Sequence, residues 1–159
     1  MKILALDMAS VTGYCIIENA KLLASGTKDF TKKRGESNGI LFLKFAKFLE
    51  ALSMTYGYPD VISYERAHFR GGAATEICVG LQTHAQSFAA KYNIEITSYH
   101  TSIIKKAIVG NGRASKDDVI AAVKKRYNLK SVKDDNEADA IAIATIAWQE
   151  LGVISQDPF

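Results

Sequence analysis

Short apolar runs separated by turn residues fill the first third of the chain, and apolar residues at helical spacing fill most of the rest. The early runs predict strands over 2–7, 12–18 and 21–28, with Glu18-Asn19-Ala20 as a tight turn in a β-meander. Ser37 is placed to cap a helix in which Leu41, Phe42, Phe45, Phe48, Leu49 and Leu52 share a side, while Lys44, Lys47 and Glu50 face the other way. That aromatic stripe reads as core, not as a cofactor box. Pro59 opens a fourth strand over 60–65, and Gly71-Gly72 breaks the chain before a helix over 74–92. Along one side of that helix run Ile77, Leu81, Ala85, Phe88 and Tyr92. A fifth strand follows at 94–98, then helices near 102–108, from Ser115 to Tyr127, and over 135–151. The order βββαβαβ followed by helices predicts an α/β fold with a mixed five-stranded sheet flanked by helices on both faces, the pattern of a ribonuclease H-like domain. No repeat, low-complexity tract or linker divides the chain, so residues 1–159 read as one domain.

Three acids break this apolar pattern. Asp7 ends Ile3-Leu4-Ala5-Leu6, Glu65 ends Val61-Ile62-Ser63-Tyr64, and Asp139 lies inside Glu137-Ala138-Asp139-Ala140-Ile141-Ala142-Ile143-Ala144. A carboxylate buried alone is costly unless it is paired or bound to a metal. Acids at a helix start are favoured by the macrodipole alone, which accounts for Asp134, Asp135 and Glu137. It does not account for Asp139, a turn further into an apolar run. Asn136 and Asp139, three apart, project from one helix face, as do Asp135 and Asp139, four apart, while Glu137 points away. Carboxylate and amide oxygens suit hard cations such as Mg²⁺ or Mn²⁺, and two ions ~3.5–4 Å apart would serve a phosphodiester hydrolysis.

Composition narrows the partner. Hydrophobic residues are 48% and charged residues 23% of the 159, ordinary values for a globular chain. The apolar runs are too short for a membrane span of ~20 residues, and the N-terminus reads as a strand, not a signal peptide. Cys15 and Cys78 form no CxxC or Cys/His cluster and are expected as two buried thiols in a reducing cytoplasm. Net charge is only +3, but 105–133 holds nine cations against Asp117 and Asp118. Such clustering marks phosphate binding, although Lys124-Lys125-Arg126 also complements a helix C-terminus.

The motifs together resemble the RuvC-type Holliday junction resolvases, especially phage variants, over nearly the whole chain. Asp7-Met8-Ala9-Ser10-Val11-Thr12-Gly13-Tyr14 is similar to the family's D-P-G-S-x-x-T-G-Y with one residue fewer. The second acid stands in Ser63-Tyr64-Glu65-Arg66-Ala67-His68-Phe69. The stretch from Ile103 to Lys116 resembles x-x-K-x-x-V-x-G-x-G-x-A-x-K, and the run from Glu137 to Ala144 resembles the D-A-x-A-I-A helix. The resemblance implies a structure-selective endonuclease that binds four-way and other branched DNA as a homodimer and nicks two strands. It implies that Asp7, Glu65 and Asp139 are catalytic and hold one or two Mg²⁺ or Mn²⁺ ions. Lys105 and Lys116 would stabilise the scissile phosphate, and His68 or Phe69 would stack on bases at the junction centre. Arg70, Lys106 and Arg113 would join them in binding DNA, Gly110 and Gly112 would let the backbone turn near it, and the helix near 74–92 would form the dimer. In that role Ile77, Leu81, Ala85 and Phe88 would be shared between the chain's own core and the partner.

Two departures stand out. Asn136 replaces the family's fourth ligand, an Asp or His, and Met8-Ala9 replaces Pro-Gly. Asn136 motivates an alternative reading as a non-catalytic junction-binding protein, and an RNA-processing nuclease of the same fold is a third. A sugar-kinase or actin-like ATPase shares the Asp7-x-x-Ser10-x-Thr12-Gly13 opening but needs two such domains, and no Walker-type loop is present.

Overall fold

The computed structural model describes residues 1–68 and 71–152. Its elements follow the expected order: β1 (Lys2–Asp7), β2 (Val11–Glu18), β3 (Lys21–Asp29), α1 (Asn38–Tyr56), β4 (Val61–Glu65), α2 (Ala73–Lys91), β5 (Glu95–Tyr99), α3 (Thr101–Val109), α4 (Lys116–Tyr127) and α5 (Asp135–Leu151). The strands form one sheet in the order β3-β2-β1-β4-β5. The first three are antiparallel neighbours, and β1, β4 and β5 run parallel. The β2–β3 hairpin turns through Asn19 and Ala20, both at positive φ (48° and 67°). This left-handed pair suits the right-handed twist of the strands it joins.

Alternation along β1 assigns its side chains to two cores. Ile3 and Ala5 face a cluster built on α5, with Ile104 of α3 and Val119 and Val123 of α4. Leu4 and Leu6 face the other side, among Leu41, Phe45 and Leu49 of α1 and Leu81 and Ala85 of α2. Helices therefore cover both faces. Ser37 caps α1 by accepting from the Gly39 N–H, and Ser115 and Asp118 form a reciprocal capping box on α4.

Helix α5 lies close on the sheet because its surface is small. Ala138, Ala140, Ala142, Ala144 and Ala147 are all buried. At its N-terminus the approach is closest: a Cβ built on Gly13 would stand 1.9 Å from the Asn136 carbonyl oxygen. Only glycine allows β2 to pass the start of α5 at that distance. Glu137 does point away from the acids, but it is not solvated. Its carboxylate accepts from the Ser25 hydroxyl and from the Lys133 N–H, each at 2.6 Å, tying α5 to β3.

Two expectations need correction. Cys15 is buried, but Cys78 is only half-buried, its thiol donating to the Met8 carbonyl at 3.3 Å. Cys78 shares the face of Leu81 and Ala85 but lies nearer the start of α2, where it meets Met8 beyond the end of β1 and not the body of the sheet. Leu81 and Ala85 are fully buried within the chain's own core and present nothing to a partner. Phe88 is also buried and only Ile77 reaches the surface in part. After Asp7, Met8-Ala9 leads into the connection to β2. Met8 packs into the α1–α2 core, Ala9 keeps a negative φ, and the buried Thr12 hydroxyl donates to the Ala9 carbonyl at 2.6 Å.

Gly13→Ala is expected to cost roughly 1–3 kcal/mol through this backbone clash. The melting temperature should fall by about 2–12 °C for a chain of this size. Thermal melts of the two proteins check it; an unchanged Tm would mean that α5 does not seat against β2 as described.

Candidate active site

The parallel pairing of β1 and β4 brings the first two acids together. Leu6 pairs with Tyr64, so Asp7 and Glu65 follow as the next residues of adjacent strands, a strand spacing of ~4.8 Å apart. The same alternation that turns Ile3, Ala5 and Val61 towards α5 turns Asp7 and Glu65 to that face. Asp139, about one and a half turns beyond the N-cap Asp134, comes down onto them from the helix. The carboxyl ends of adjacent parallel strands are the usual place for a ligand in an α/β sheet.

Electrostatics record the convergence. Burial, followed by the charges of Asp139 and Glu65, pushes the Asp7 carboxyl up to about 8. Burial and then the charges of Glu65 and Asp135 push Asp139 up to about 6. Acids that repel one another in a half-dry cleft are poised to accept positive charge. The described residues hold no ready-made cluster of three or more Asp, Glu, His or Cys groups closed around one point. The donor set nevertheless fits a hard cation of the Mg²⁺ type, which is usually held by one or two carboxylates and completes its shell with water and substrate phosphate.

A cleft of about 190 Å³ opens beside the acids, lined by Glu65, Thr101, Ile104, Lys105, Lys116, Val119 and Asp139. Lys105 comes from α3 and Lys116 from the first turn of α4, so both expected lysines reach the cleft. A cation at a helix N-terminus opposes the macrodipole. Lys116 is held there by Asp135, whose Oδ2 lies 2.5 Å from its Nζ. That bond, with the charges of Asp139 and Asp7, raises the Lys116 pKa, and the same bond lowers that of Asp135. Asp135 therefore faces a lysine.

The other expected residues are placed unevenly. Asn136 is half-buried in the first turn of α5, with its backbone carbonyl against Gly13. Lys106 is turned away, lining a separate hollow with Ile103 and Gln149. Arg113 is exposed in the α3–α4 loop, outside the cleft lining. Gly110 ends α3 at φ +91°, a left-handed cap. His68 is exposed, with its Nε2 3.8 Å from Glu65 and 2.9 Å from the Thr101 hydroxyl. Phe69 and Arg70 lie outside the described residues. Thr101 was not legible as a site residue, yet its hydroxyl donates a short hydrogen bond to Glu65. Its one sequence signal is its place just after the last strand, at the end of the sheet where the acids stand.

Comparison with known proteins decides the family. A model described as "Crossover junction endodeoxyribonuclease RuvC" matches residues 3–147. The chain belongs to the RuvC family. A RuvC from Prochlorococcus marinus subsp. pastoris is 31% identical, the match covering 96% of this chain and 99% of that protein. A second, from Prochlorococcus marinus strain MIT 9312, is 34% identical over the same shares. Among solved structures, Thermus thermophilus RuvC matches with a TM-score of 0.78 at 18% identity, covering 96% of this chain and 97% of that one. The same protein in complex with Holliday junction substrate matches with a TM-score of 0.78, covering 91% and 90%. The RuvC match makes the fold ribonuclease H-like, with the mixed sheet and flanking helices expected.

The raised acids carry a pH consequence for the metal-free protein. Between the ordinary carboxyl pKa near 3.8 and the folded values of about 6 and about 8, the folded chain holds protons that the unfolded chain has released. Stability then falls as pH rises across that window. The slope is at most about 1.4 kcal/mol per pH unit for each group. Asp7→Asn should flatten this decline. Melts in EDTA at pH 5 and pH 8 test it, and equal declines for the two proteins would contradict the burial of Asp7 between Asp139 and Glu65.

Proposed function

We propose that this chain is a metal-dependent endonuclease of branched DNA whose three acids hold the catalytic metal. On this reading residues 1–159 act as one nuclease domain that resolves Holliday junctions in recombination and repair. The observation that carries it is the meeting of Asp7, Glu65 and Asp139 in a half-buried cleft flanked by Lys105 and Lys116.

Asp7, Glu65 and Asp139 would bind one or two Mg²⁺ ions, replaceable by Mn²⁺, with the Asn136 amide as a weak further donor. Bound there, the metal supplies Lewis-acid charge at the phosphate and lowers the pKa of an attacking water. Lys105 and Lys116 stand on the far side of the cleft and stabilise charge that develops on the phosphate oxygens. Asp135 keeps Lys116 directed at that position, and Thr101 orients Glu65 through its hydrogen bond. His68, whose ring lies near Glu65, or Phe69 is proposed to stack on unpaired bases at the crossover. Arg70, Lys106 and Arg113 add phosphate-binding charge outside the cleft.

A homodimer through α2 fits this reading. Beyond the buried Leu81 and Ala85, that helix turns Val79, Thr83 and Ala90 outwards, and its only charged residues are Glu76 and Lys91. Among the described residues no helix is long and apolar enough to cross a membrane. A DNA-resolving enzyme would work in the cytoplasm, that of the host if the gene is a phage's. The reading as a junction binder without catalysis is not favoured, because Glu65, Asp139 and both lysines line one cleft with Asp7 buried beside them.

Cleavage of a mobile four-way junction beside linear duplex and duplex RNA, with Mg²⁺, Mn²⁺ or EDTA, tests the proposal. Paired metal-dependent nicks near the crossover are expected. Asp7→Asn should abolish nicking and leave junction binding intact, whereas Lys116→Ala should slow nicking by roughly 10²–10³-fold, the scale for loss of one charge-stabilising group. Binding without nicks in either metal would reject the catalytic reading, and preferential cutting of duplex RNA would reject the DNA substrate.

A further inference from the structure

A second basic surface lies outside the catalytic cleft, on the opposite edge of the sheet from α3 and α4. Lys28 of β3 and Lys44 and Lys47 of α1 rim a groove of about 470 Å³ floored by Phe30 and Phe48. Asp29, in the same rim, also feels the charge of Lys133, which approaches from the α5 side. The four lysines are exposed, and none forms an ion pair among the described residues. Some other lysines of the scaffold are neutralised. Lys2 pairs with Glu18 at 3.5 Å, and Lys91 pairs at 3.0 Å with Glu50, further along the helix that carries Lys44 and Lys47. The next connection adds Lys32-Lys33-Arg34, all exposed.

Position gives this surface its meaning. Asp29 pairs with Val11, and Gly13, two residues on, pairs with Asp7. The lysines thus stand at the catalytic end of the sheet, two strand spacings or ~10 Å across from β1, wrapped around its β3 edge with Lys28, Lys44 and Lys47 on the α1 face and Lys133 on the α5 face that carries the acids. A DNA duplex carries one negative charge per ~1.7 Å of its axis, so an arm leaving the cleft towards β3 meets these lysines within a few base pairs. We propose that Lys28, Lys44, Lys47 and Lys133 form a track for the phosphate backbone of a duplex arm, separate from the groups that hold the scissile phosphate. This rests on the nuclease reading above and adds a second contact region to it. The track reads charge, not bases, because lysine heads on a groove without an aligned donor–acceptor set carry no sequence information.

The test compares the full-length wild type with Lys28→Gln/Lys44→Gln/Lys47→Gln, none of which touches the acids. Affinity for a four-way junction and for linear duplex is measured across a salt series, with hydroxyl-radical footprints of the junction complex. The variant should keep its Tm and its nicking rate at saturating protein. It should lose up to about 0.9 in the slope of log affinity against log salt for each lysine engaged. Its footprint should shrink on the arm a few base pairs from the crossover and stay intact at the crossover itself. An unchanged slope and footprint would overturn the track, as would an even loss of protection across the whole junction. If the wild type binds duplex but not the junction, the function proposed above fails while the lysine effect is still read on duplex. If it binds neither, both proposals fall.

Discussion

The approach of α5 to the sheet is the constraint on which the rest of the molecule depends. Gly13 leaves no side chain between β2 and the Asn136 carbonyl, and five alanines let the helix settle onto β1 and β2. That contact has two consequences. It closes one hydrophobic core over the sheet, and it lowers Asp139 into the space above Asp7 and Glu65. A helix displaced outwards by a methyl group would relax the repulsion among the acids and disperse the site together. Stability and chemistry are therefore coupled through one packing distance.

The acids oppose folding and the surrounding structure offsets them. Asp7 is held in a place where its charge is disfavoured, as groups reserved for a cation often are. The compensation is distributed: the α5 core, the Glu137 bonds to Ser25 and Lys133, and the capping box that holds the first turn of α4. Lys116 is a second local conflict, a cation at a helix start, settled by Asp135 and by the negative cleft. Violations of local preference collect at functional sites because only the site's own chemistry makes them favourable.

Charge on the surface follows the same division. The end of the sheet that carries the acids is bordered by lysines on both sides, Lys105 and the Asp135-paired Lys116 in the cleft and the unpaired Lys28, Lys44 and Lys47 beyond β3. A net charge of +3 conceals this, since the acids of the rest of the chain are spent on pairs such as Lys2–Glu18 and on helix caps such as Asp118. Field shape, not net charge, decides how a polyanion would be oriented.

By itself the sequence determined the elements and their order, and it marked the acids on which the proposed site rests. Period-two and period-3.6 patterns need no tertiary information, and an acid ending an apolar run is conspicuous wherever the strand lies in space. Asp7, Glu65 and Asp139 were legible for that reason, and the motif spacing brought in Lys105 and Lys116. Tertiary structure decided what depends on pairing between distant segments. Parallel registry of β4 with β5 put Thr101 beside Glu65, and the seating of α5 on β2 made Gly13 indispensable. Helix packing placed Leu81 and Ala85 in the chain's own core instead of at a partner's surface, and left Cys78 half-exposed. It also divided adjacent Lys105 and Lys106 between two hollows. Spacing along one element shows which residues share a face, but only the packed neighbours determine what that face meets.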